Sequence, residues 1–438
     1  MKHFLLVFTV VACVFALFAA DSWAENALGE GASPLRLIDS SVDVLLAAGG
    51  SSENNSVLEE LQGGGHDPKR NGFTLQQAEL SFSGVVDPHF AGEVHILFLE
   101  DDVELEEAFF TSTALPGGLE LKAGHYLTEF GRINPTHPHT WYWLDQPIVA
   151  SRLLGEDGLR AAGARLAWLL PTRWYSQFYF GIQNADSETA ISFLGEGHSH
   201  GDDEHAHAEE HGDADAEHAE DETEHAMAGE TTIGGRPRIE REPKDLDEYL
   251  YSTRWENSID ASEQSTVLFG LSALYGPNAA SEDGETFIYG ADLTLKWRPS
   301  DAKRGYPFLI WQTEVMKRDV KAGSVSISHE DHFHDFAAET IKDWGLYSQV
   351  VWGFAPRWET GLRVEYVTGN DAGIEERDHD PARADRMRIS PMLAYRPSEF
   401  SRIRLQYNYD DADFLDDEVH TVWAGLEILF GKHPAHKF

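Results

Sequence analysis

Seven histidines stand close together between residues 187 and 235, and acidic residues lie among them throughout. Neutral imidazole and carboxylate groups are ligands for zinc, nickel, copper and related divalent ions. The stretch has no Lys, Arg or Cys before residue 236, and its central part is almost devoid of apolar residues other than alanine. Such a segment buries too little surface to offset its ordering entropy, so we predict a disordered loop at about 186–246. Its candidate metal ligands are His198, His200, His205, His207, His211, His218 and His225.

An inert, solvated acidic spacer is the alternative interpretation of this loop. A second group of candidate ligands, His329, His332 and His334, lies in a later polar connection, where solvated loop residues are the alternative. His137 and His139 flank a proline in a third connection, which is long enough to fold inward as a constriction; structural stacking beside the aromatic residues 141–143 is the alternative. No resident cofactor is required by this pattern; zinc or another divalent ion held by the loops is the predicted ligand.

The first 24 residues have the features of a secretory signal peptide. A short polar start is followed by an apolar run from residue 4 to residue 20 and by the small-x-small site Ser22-Trp23-Ala24. A lipobox ending at Cys13 is the alternative, although that cysteine lies inside the apolar run. No later stretch offers some 20 consecutive apolar residues, so we expect no helical membrane span. Residues 25–438 are then the mature chain, without any cysteine for disulfides or thiolate sites.

The formal net charge is −41, which makes nucleic acid an unsuitable partner. Apolar and polar residues alternate with a period of two along nearly the whole mature chain. Near the end, for example, Ile403, Leu405 and Tyr407 point one way while Arg402 and Arg404 point the other. This period predicts sixteen strands, at about 36–48, 72–86, 91–100, 103–115, 119–131, 159–170, 175–185, 247–260, 264–276, 285–298, 306–319, 343–355, 357–369, 385–396, 401–410 and 418–430.

The connections between these strands alternate between short turns and longer polar loops. Aromatic residues such as Trp168, Trp174, Phe354 and Trp358 cluster beside the short turns, as in the girdle at a membrane interface. The pattern predicts an all-β fold: a transmembrane antiparallel up-and-down β-barrel in the outer membrane of a Gram-negative bacterium, with long loops outside the cell. A soluble propeller or sandwich is the alternative, but we find no blade-length repeat.

Four segments resemble Gram-negative outer-membrane porin-like proteins: 71–89 (NGFTLQQAELSFSGVVDPH), 131–139 (GRINPTHPH), 145–147 (DQP) and 155–160 (GEDGLR). The set is similar to proteins labelled zinc-regulated TonB-dependent outer-membrane receptors, and more loosely to phosphate-selective porins. Such receptors carry an N-terminal plug, for which we expect no room before residue 71, so a passive channel is favoured. The resemblance implies outer-membrane lipid, lipopolysaccharide, the barrel-assembly machinery and metal ions as partners, and suggests a homotrimer.

Inward-facing residues of such a barrel set its selectivity. Five arginines on three consecutive strands should form a basic arc, and acids on other strands should oppose it. The predicted channel-lining residues are Arg363, Arg386, Arg388, Arg402 and Arg404 on the basic side, and Glu79, Glu120, Asp292 and Glu427 on the acidic side.

The leading functional hypothesis is uptake of small solutes, above all divalent metal such as zinc, collected by the His-rich loop at an acidic mouth. A general or anion-selective, phosphate-type porin is one alternative, because of the arginines. A barrel-anchored surface metal-binding protein is another. The sequence contains no nucleophile elbow, phosphate-binding glycine loop or HExxH helix, and we predict that it is not an enzyme.

Overall fold

The computed structural model describes residues 38–100, 102–196, 231–241, 246–329, 332–374 and 376–431, with only the backbone described for 327–329 and 332–334. The predicted signal peptide and the histidines from His198 to His225 lie outside these residues, so both remain predictions. Neither α-helix among the described residues is long and apolar enough to cross a membrane.

Sixteen antiparallel strands form one closed barrel, in which the first strand pairs with the last from Ser41 opposite Gly431 to Ser51 opposite Thr421. This confirms the predicted fold class and strand number. The barrel strands are β1 Ile38–Ser51, β2 Gly72–Val85, β3 Phe90–Phe98, β4 Val103–Ser112, β5 Leu119–Leu127, β6 Arg160–Leu169, β7 Tyr175–Gln183, β8 Leu250–Ser262, β9 Ser265–Pro277, β10 Glu285–Trp297, β11 Phe308–Ala322, β14 Glu339–Ala355, β15 Trp358–Gly369, β16 Arg386–Ser398, β17 Ser401–Ala412 and β18 Val419–Gly431.

Two further strands, β12 (Val325–His329) and β13 (His332–Phe336), form a separate hairpin in the connection between β11 and β14. The sequence pattern predicts only a polar loop in that connection, so the hairpin is a difference from the prediction. His329 lies opposite His332 in its backbone register, and His334 lies opposite Ile327. The hairpin therefore brings the three histidines of the second candidate group onto neighbouring strands.

The outer face of the barrel carries the apolar half of the alternating pattern. Leu405, Val422 and Leu166 are between 43% and 50% exposed, whereas Arg404 and Gln406, on either side of Leu405 along β17, are buried. Trp168 and Trp352 remain exposed towards the short-turn end. An apolar wall with an aromatic belt is what lipid requires of a spanning barrel, and the location in the outer membrane follows from this surface and the closed topology.

Residues 128–159, between β5 and β6, fold into the barrel interior and are called the inserted loop. The loop contains the helix α2 (Ile148–Leu154), which begins directly after Pro147 and ends at Gly155 with φ 98°, a left-handed conformation suited to glycine. Backbone groups of the loop donate to side chains of distant strands: Ile133 to Glu314 of β11 (3.0 Å), and Leu144 to Gln406 of β17 (2.7 Å). The loop thus crosses the barrel and is fixed to its far walls.

An apolar core surrounds α2 in the half of the barrel nearer the long loops. Val149 and Leu153 of the helix pack there with Phe193, Leu250 and Val367. Below the inserted loop lies a cavity of about 1400 Å³, lined by residues next to the short turns and by the loop itself. Short turns face the periplasm in outer-membrane barrels, so this cavity is a vestibule on the periplasmic side.

A second helix, α1 (Asn55–Leu61), lies in the connection between β1 and β2, and Asn54 caps it by accepting from the Val57 amide (3.2 Å). Residues 52–71 and the inserted loop are both long-loop connections and contact each other: the amide of Gln146 donates to Asp67 (2.8 Å). The two connections together cover the interior near β2 to β6.

Candidate metal centre

Six ligand-type side chains converge where β2, β3 and β4 face the inserted loop. They form what we call the His–Glu cluster: Glu79 of β2, His95 of β3, Glu106 and Glu107 of β4, and His137 and His139 of the loop. All six side chains are buried or nearly so, and all of them except Glu106 line the vestibule. Strand pairing positions the wall residues, since His95 lies opposite Glu107 and Glu79 is two residues from the partner of His95.

Glu79 is the centre of the cluster. One of its carboxylate oxygens lies 2.9 Å from Nδ1 of His95, and the other lies 2.9 Å from Nδ1 of His139 and 3.5 Å from Nδ1 of His137. The three rings are adjacent: the His95 and His137 centroids are 4.5 Å apart, and those of His137 and His139 are 5.6 Å apart and stacked.

His137 is held from both sides of its ring. Its Nδ1 lies 2.8 Å from Glu106 and its Nε2 lies 2.9 Å from Glu107. Two successive glutamates can face the interior because the β3–β4 register shifts between His95 and Ile96, which leaves Glu106 as an extra residue on β4. A β-bulge of this kind re-aims a side chain that strict alternation would point into lipid.

The geometry suits a divalent metal ion. One ligand atom each from Glu79, His95 and His137 lies within 4.8 Å of the other two. Zinc bonds of about 2.1 Å to nitrogen and oxygen hold tetrahedral ligands roughly 3.4 Å apart, so small side-chain shifts would close this trio around an ion. Imidazole with carboxylate favours zinc and its neighbours over calcium or magnesium.

Protons compete for the same nitrogens. Burial disfavours a charged His137, but the carboxylates of Glu106 and Glu79 attract the charge, and hydrogen bonds to Glu106 and Glu107 add to this, so the pKa of this loop residue lies well above its ordinary value. The pKa of His139, also in the inserted loop, is raised against burial by the charge and hydrogen bond of Glu79. Both rings therefore favour the imidazolium form when no metal is bound.

The five predicted arginines all face the interior on three neighbouring strands, and the structure pairs each of them with an acid. Asp145 of the inserted loop binds Arg363 and also Arg388 (3.0 Å). Asp410 of β17 binds Arg388 (2.8 Å) and Arg386 (2.6 Å). Sequence alternation placed these side chains correctly on the inner face, but it carried no information about their partners.

The remaining two arginines hold the backbone of the inserted loop. Arg402 binds Glu427 and donates to the carbonyl oxygen of His139 (2.7 Å). Arg404 lies 3.1 Å from Glu427 and donates to the carbonyl oxygen of Trp143 (2.9 Å). These groups are structural anchors for the loop that carries the cluster histidines.

The other predicted acids pair with arginines, apart from Glu79, which pairs with the cluster histidines. Glu120 binds Arg165 of the neighbouring strand (2.6 Å) and is partly exposed, whereas Asp292 forms a buried pair with Arg254 (2.6 Å). Neither belongs to the His–Glu cluster. The hairpin histidines, His329, His332 and His334, are in β12 and β13, in a long connection on the side of the barrel opposite the periplasmic vestibule.

Sequence reasoning missed His95, Glu106 and Glu107. His95 alternates with Val94 and Ile96, whose apolar side chains belong to the lipid face, so its inward position was readable from the period of two. Glu106 and Glu107 could not be predicted to face inward together, because the β-bulge that allows it has no local sequence signature.

No protein-family model matches the chain. An uncharacterized protein of Aquifex aeolicus (strain VF5) is 30% identical over 403 residues, which cover 89% of this chain and 77% of that protein. The outer membrane channel DcaP of Acinetobacter baumannii covers 90% of this chain and 96% of its own, with a TM-score of 0.50 and 11% identity. An anion-selective porin from Comamonas acidovorans covers 90% and 99%, with a TM-score of 0.48 and 8% identity.

The DcaP channel is too distant in sequence to show more than a common fold, and no link to TonB-dependent receptors or to zinc is shown. The Aquifex relative is similar over most of both sequences. The chain therefore belongs to the same family as that Aquifex aeolicus protein, and it is an outer-membrane β-barrel of porin-like fold.

Proposed function

We propose that this chain is an outer-membrane channel for the uptake of divalent metal ions, with zinc as the first candidate. The observation that carries the proposal is the convergence of three histidines and three glutamates at the boundary between the inserted loop and the vestibule. This is the depth at which porin-type barrels select their solutes. A general diffusion pore has no need of so many ligand groups at that point.

The charge distribution supports a cation rather than an anion. The arginines of β15 to β17 are bound to Asp145, Asp410 and Glu427, so they offer little free positive charge to phosphate-type solutes. The overall charge of −41 and the acidic His-rich segment at 186–246 raise the local cation concentration at the mouth. Collection of ions by His198 to His225 is part of the proposal.

A barrel-anchored metal-binding protein is the second candidate. The observation that favours it is the apolar core around α2, which fills the half of the barrel nearer the long loops. In that case the His–Glu cluster stores or senses metal without passing it on. Homotrimer formation is a separate proposal, which crosslinking of the protein in its native membrane would test.

Zinc accumulation in zinc-starved cells separates these candidates. Cells that carry the full chain should accumulate zinc several-fold faster than cells without it, and a Glu79→Gln, His95→Ala double variant should lose most of that gain. His379→Ala is a matched control, because this exposed histidine lies in a distant connection. Removal of residues 197–230 should lower uptake mainly at low external zinc.

Equal zinc uptake with and without the chain, at matched barrel levels, would contradict the channel proposal. Zinc binding to the purified barrel without uptake would favour the anchored metal-binding protein. Faster phosphate uptake in place of zinc uptake would favour the anion-selective porin.

A further inference from the structure

A fourth buried histidine lies above the His–Glu cluster, on the long-loop side. His66, in the connection between β1 and β2, is 4% exposed, and neither of its ring nitrogens makes a hydrogen bond. The nearest carboxylate is Asp157 of the inserted loop, 3.4 Å from Nε2. Its backbone is fixed, since Gln76 donates to the His66 carbonyl oxygen (2.6 Å). Buried polar groups normally have a partner, so the position of this ring calls for an occupant.

A small enclosed cavity of about 10 Å³ adjoins His66. Its volume corresponds to about one water-sized occupant. Asp157 and Glu106 also line it. Glu106 is a member of the His–Glu cluster, where its carboxylate lies 2.8 Å from His137. Glu106 thus belongs to the His–Glu cluster and also lines the small cavity beside His66 and Asp157.

The small cavity and the vestibule are separated by a thin layer. Leu127, Ile133, Thr136 and Trp141 line both of them. Three of these four residues belong to the inserted loop, which is packed against the wall formed by β2 to β5. Ligand-type side chains therefore lie on both sides of this layer, along the seam between the loop and that wall.

The upper end of this line approaches the surface. Glu156 directly precedes Asp157. Its side chain is 45% exposed and lies 3.0 Å from the ammonium group of Lys69. Both connections that contribute to this end join strands on the long-loop side. Arg160 pairs with Glu104 and donates to the Asp157 carbonyl oxygen (3.0 Å), while the Asp157 carboxylate lies 3.4 Å from His66.

We propose that divalent metal passes the inserted loop along this seam, from His66 and Asp157 to Glu106 and His137, and then to Glu79 and His95. The inference rests on the proposed uptake function and adds the route. Each station supplies one imidazole and one carboxylate, so the ion exchanges like ligands at every step and keeps its charge compensated. The apolar core around α2 stays closed, and bulk solutes are excluded while the metal moves.

Zinc influx into liposomes tests the route with the full chain. Purified barrels are reconstituted around a zinc-sensitive dye, and zinc is added outside. His66→Ala and His66→Gln should each lower the zinc influx rate about tenfold or more, because loss of a group that orients or binds a metal typically costs that much. His379→Ala should match the unaltered chain. Retained heat-resistant barrel migration of both His66 variants shows that they are folded.

The outcomes separate the route from the function. Zinc influx that is unchanged in both folded His66 variants would overturn the seam while leaving metal uptake intact. Absence of zinc influx through the unaltered chain would overturn the uptake function and the route together. A parallel fall in the influx of a neutral sugar would show general blockage and would also contradict a metal-specific seam.

Discussion

The inserted loop is held by two walls that use opposite chemistry. On the side of β15 to β18, five arginines meet four carboxylates, those of Asp145, Glu365, Asp410 and Glu427. On the side of β2 to β4, the loop histidines meet glutamates and no arginine takes part in the His–Glu cluster. Arginine stays charged at any physiological pH, whereas imidazole exchanges its proton and binds metal.

The arginine wall therefore anchors the inserted loop, whereas the histidine wall can exchange protons or metal. The arginine wall has a fixed charge and donates to loop carbonyl oxygens, so it determines where the loop lies. The histidine wall carries between zero and three positive charges on three rings, against three carboxylates, depending on protons or bound metal. A solute can change the second wall without displacing the loop, because the first wall holds it.

Removal of the central anchor should have the largest effect. Asp145 is fully buried and accepts from Arg388 (3.0 Å) and Asn408 (2.9 Å) in addition to Arg363. Asp145→Asn removes one of the two carboxylates that each of Arg363 and Arg388 binds, and loss of a buried counter-charge costs up to about 3–5 kcal/mol. We expect a lower urea midpoint for unfolding in detergent and a higher, noisier single-channel conductance. A conductance equal to that of the unaltered chain would show that the arginine wall does not fix the loop.

Loss of one cluster ligand should weaken metal binding without loosening the loop. Zinc added to the vestibule side should block the potassium current of the unaltered channel, and Glu79→Gln should raise the half-blocking concentration about 10- to 100-fold. Glu120→Gln is the matched control, because it makes the same change in a carboxylate outside the cluster. An equal increase in the half-blocking zinc concentration for Glu79→Gln and Glu120→Gln would contradict the distinction between the two walls.

Zinc block should also depend on pH through His137. A ligand nitrogen must lose its proton before it binds metal, and the pKa of His137 is raised. Block should therefore strengthen as pH rises past 6.5, by up to about tenfold per unit while one proton is displaced, and continue to strengthen above pH 7. His137→Asn should flatten this dependence. A profile that levels off below pH 6.5 would contradict a cluster governed by this residue.

The same raised pKa makes a smaller contribution to stability. A group whose pKa is higher in the folded chain stabilises the fold fully below its unfolded pKa, and this contribution is lost as pH rises through the folded value. In the absence of metal, unfolding in urea should thus become easier at alkaline pH. Added zinc should offset the loss, and a zinc effect equal in His137→Asn would argue against binding there.

The smallest effect is expected for Glu120→Gln. Its ion pair with Arg165 spans neighbouring strands, and the Glu120 side chain is 39% exposed. Such pairs contribute at most about 1 kcal/mol, so we expect an unfolding midpoint and conductance close to those of the unaltered chain. A loss as large as that of Asp145→Asn would mean that charge pairing in general, and not the anchored loop, sets stability.

Local periodicity predicted the barrel well, because every strand must present apolar residues to lipid. Strand ends agreed to within a few residues, as at β10 (Glu285–Trp297) against the expected 285–298. The hairpin of β12 and β13 was missed because it lies off the barrel and carries no lipid-facing alternation. The bulges beside Gln76 and Glu106 were missed because a register shift depends on the partner strand.

The candidate site was only partly predictable for a related reason. Inward residues such as Glu79 follow from the strand period, but their partners come from distant parts of the chain: Asp145 and Arg363 are 218 residues apart in sequence. The path of the inserted loop determines which wall residues form ion pairs with arginine and which join the His–Glu cluster. That path is a property of the closed barrel and cannot be derived from any local segment.

The most direct test of the account is a crystal structure of the full chain soaked in zinc, with anomalous scattering measured on both sides of the zinc absorption edge. The account predicts a zinc peak within bonding distance of Glu79, His95 and His137, which disappears in the Glu79→Gln, His95→Ala variant. It also predicts no peak among the arginines around Asp145. Zinc bound elsewhere in the barrel, with the His–Glu cluster empty at saturating zinc, would contradict the account.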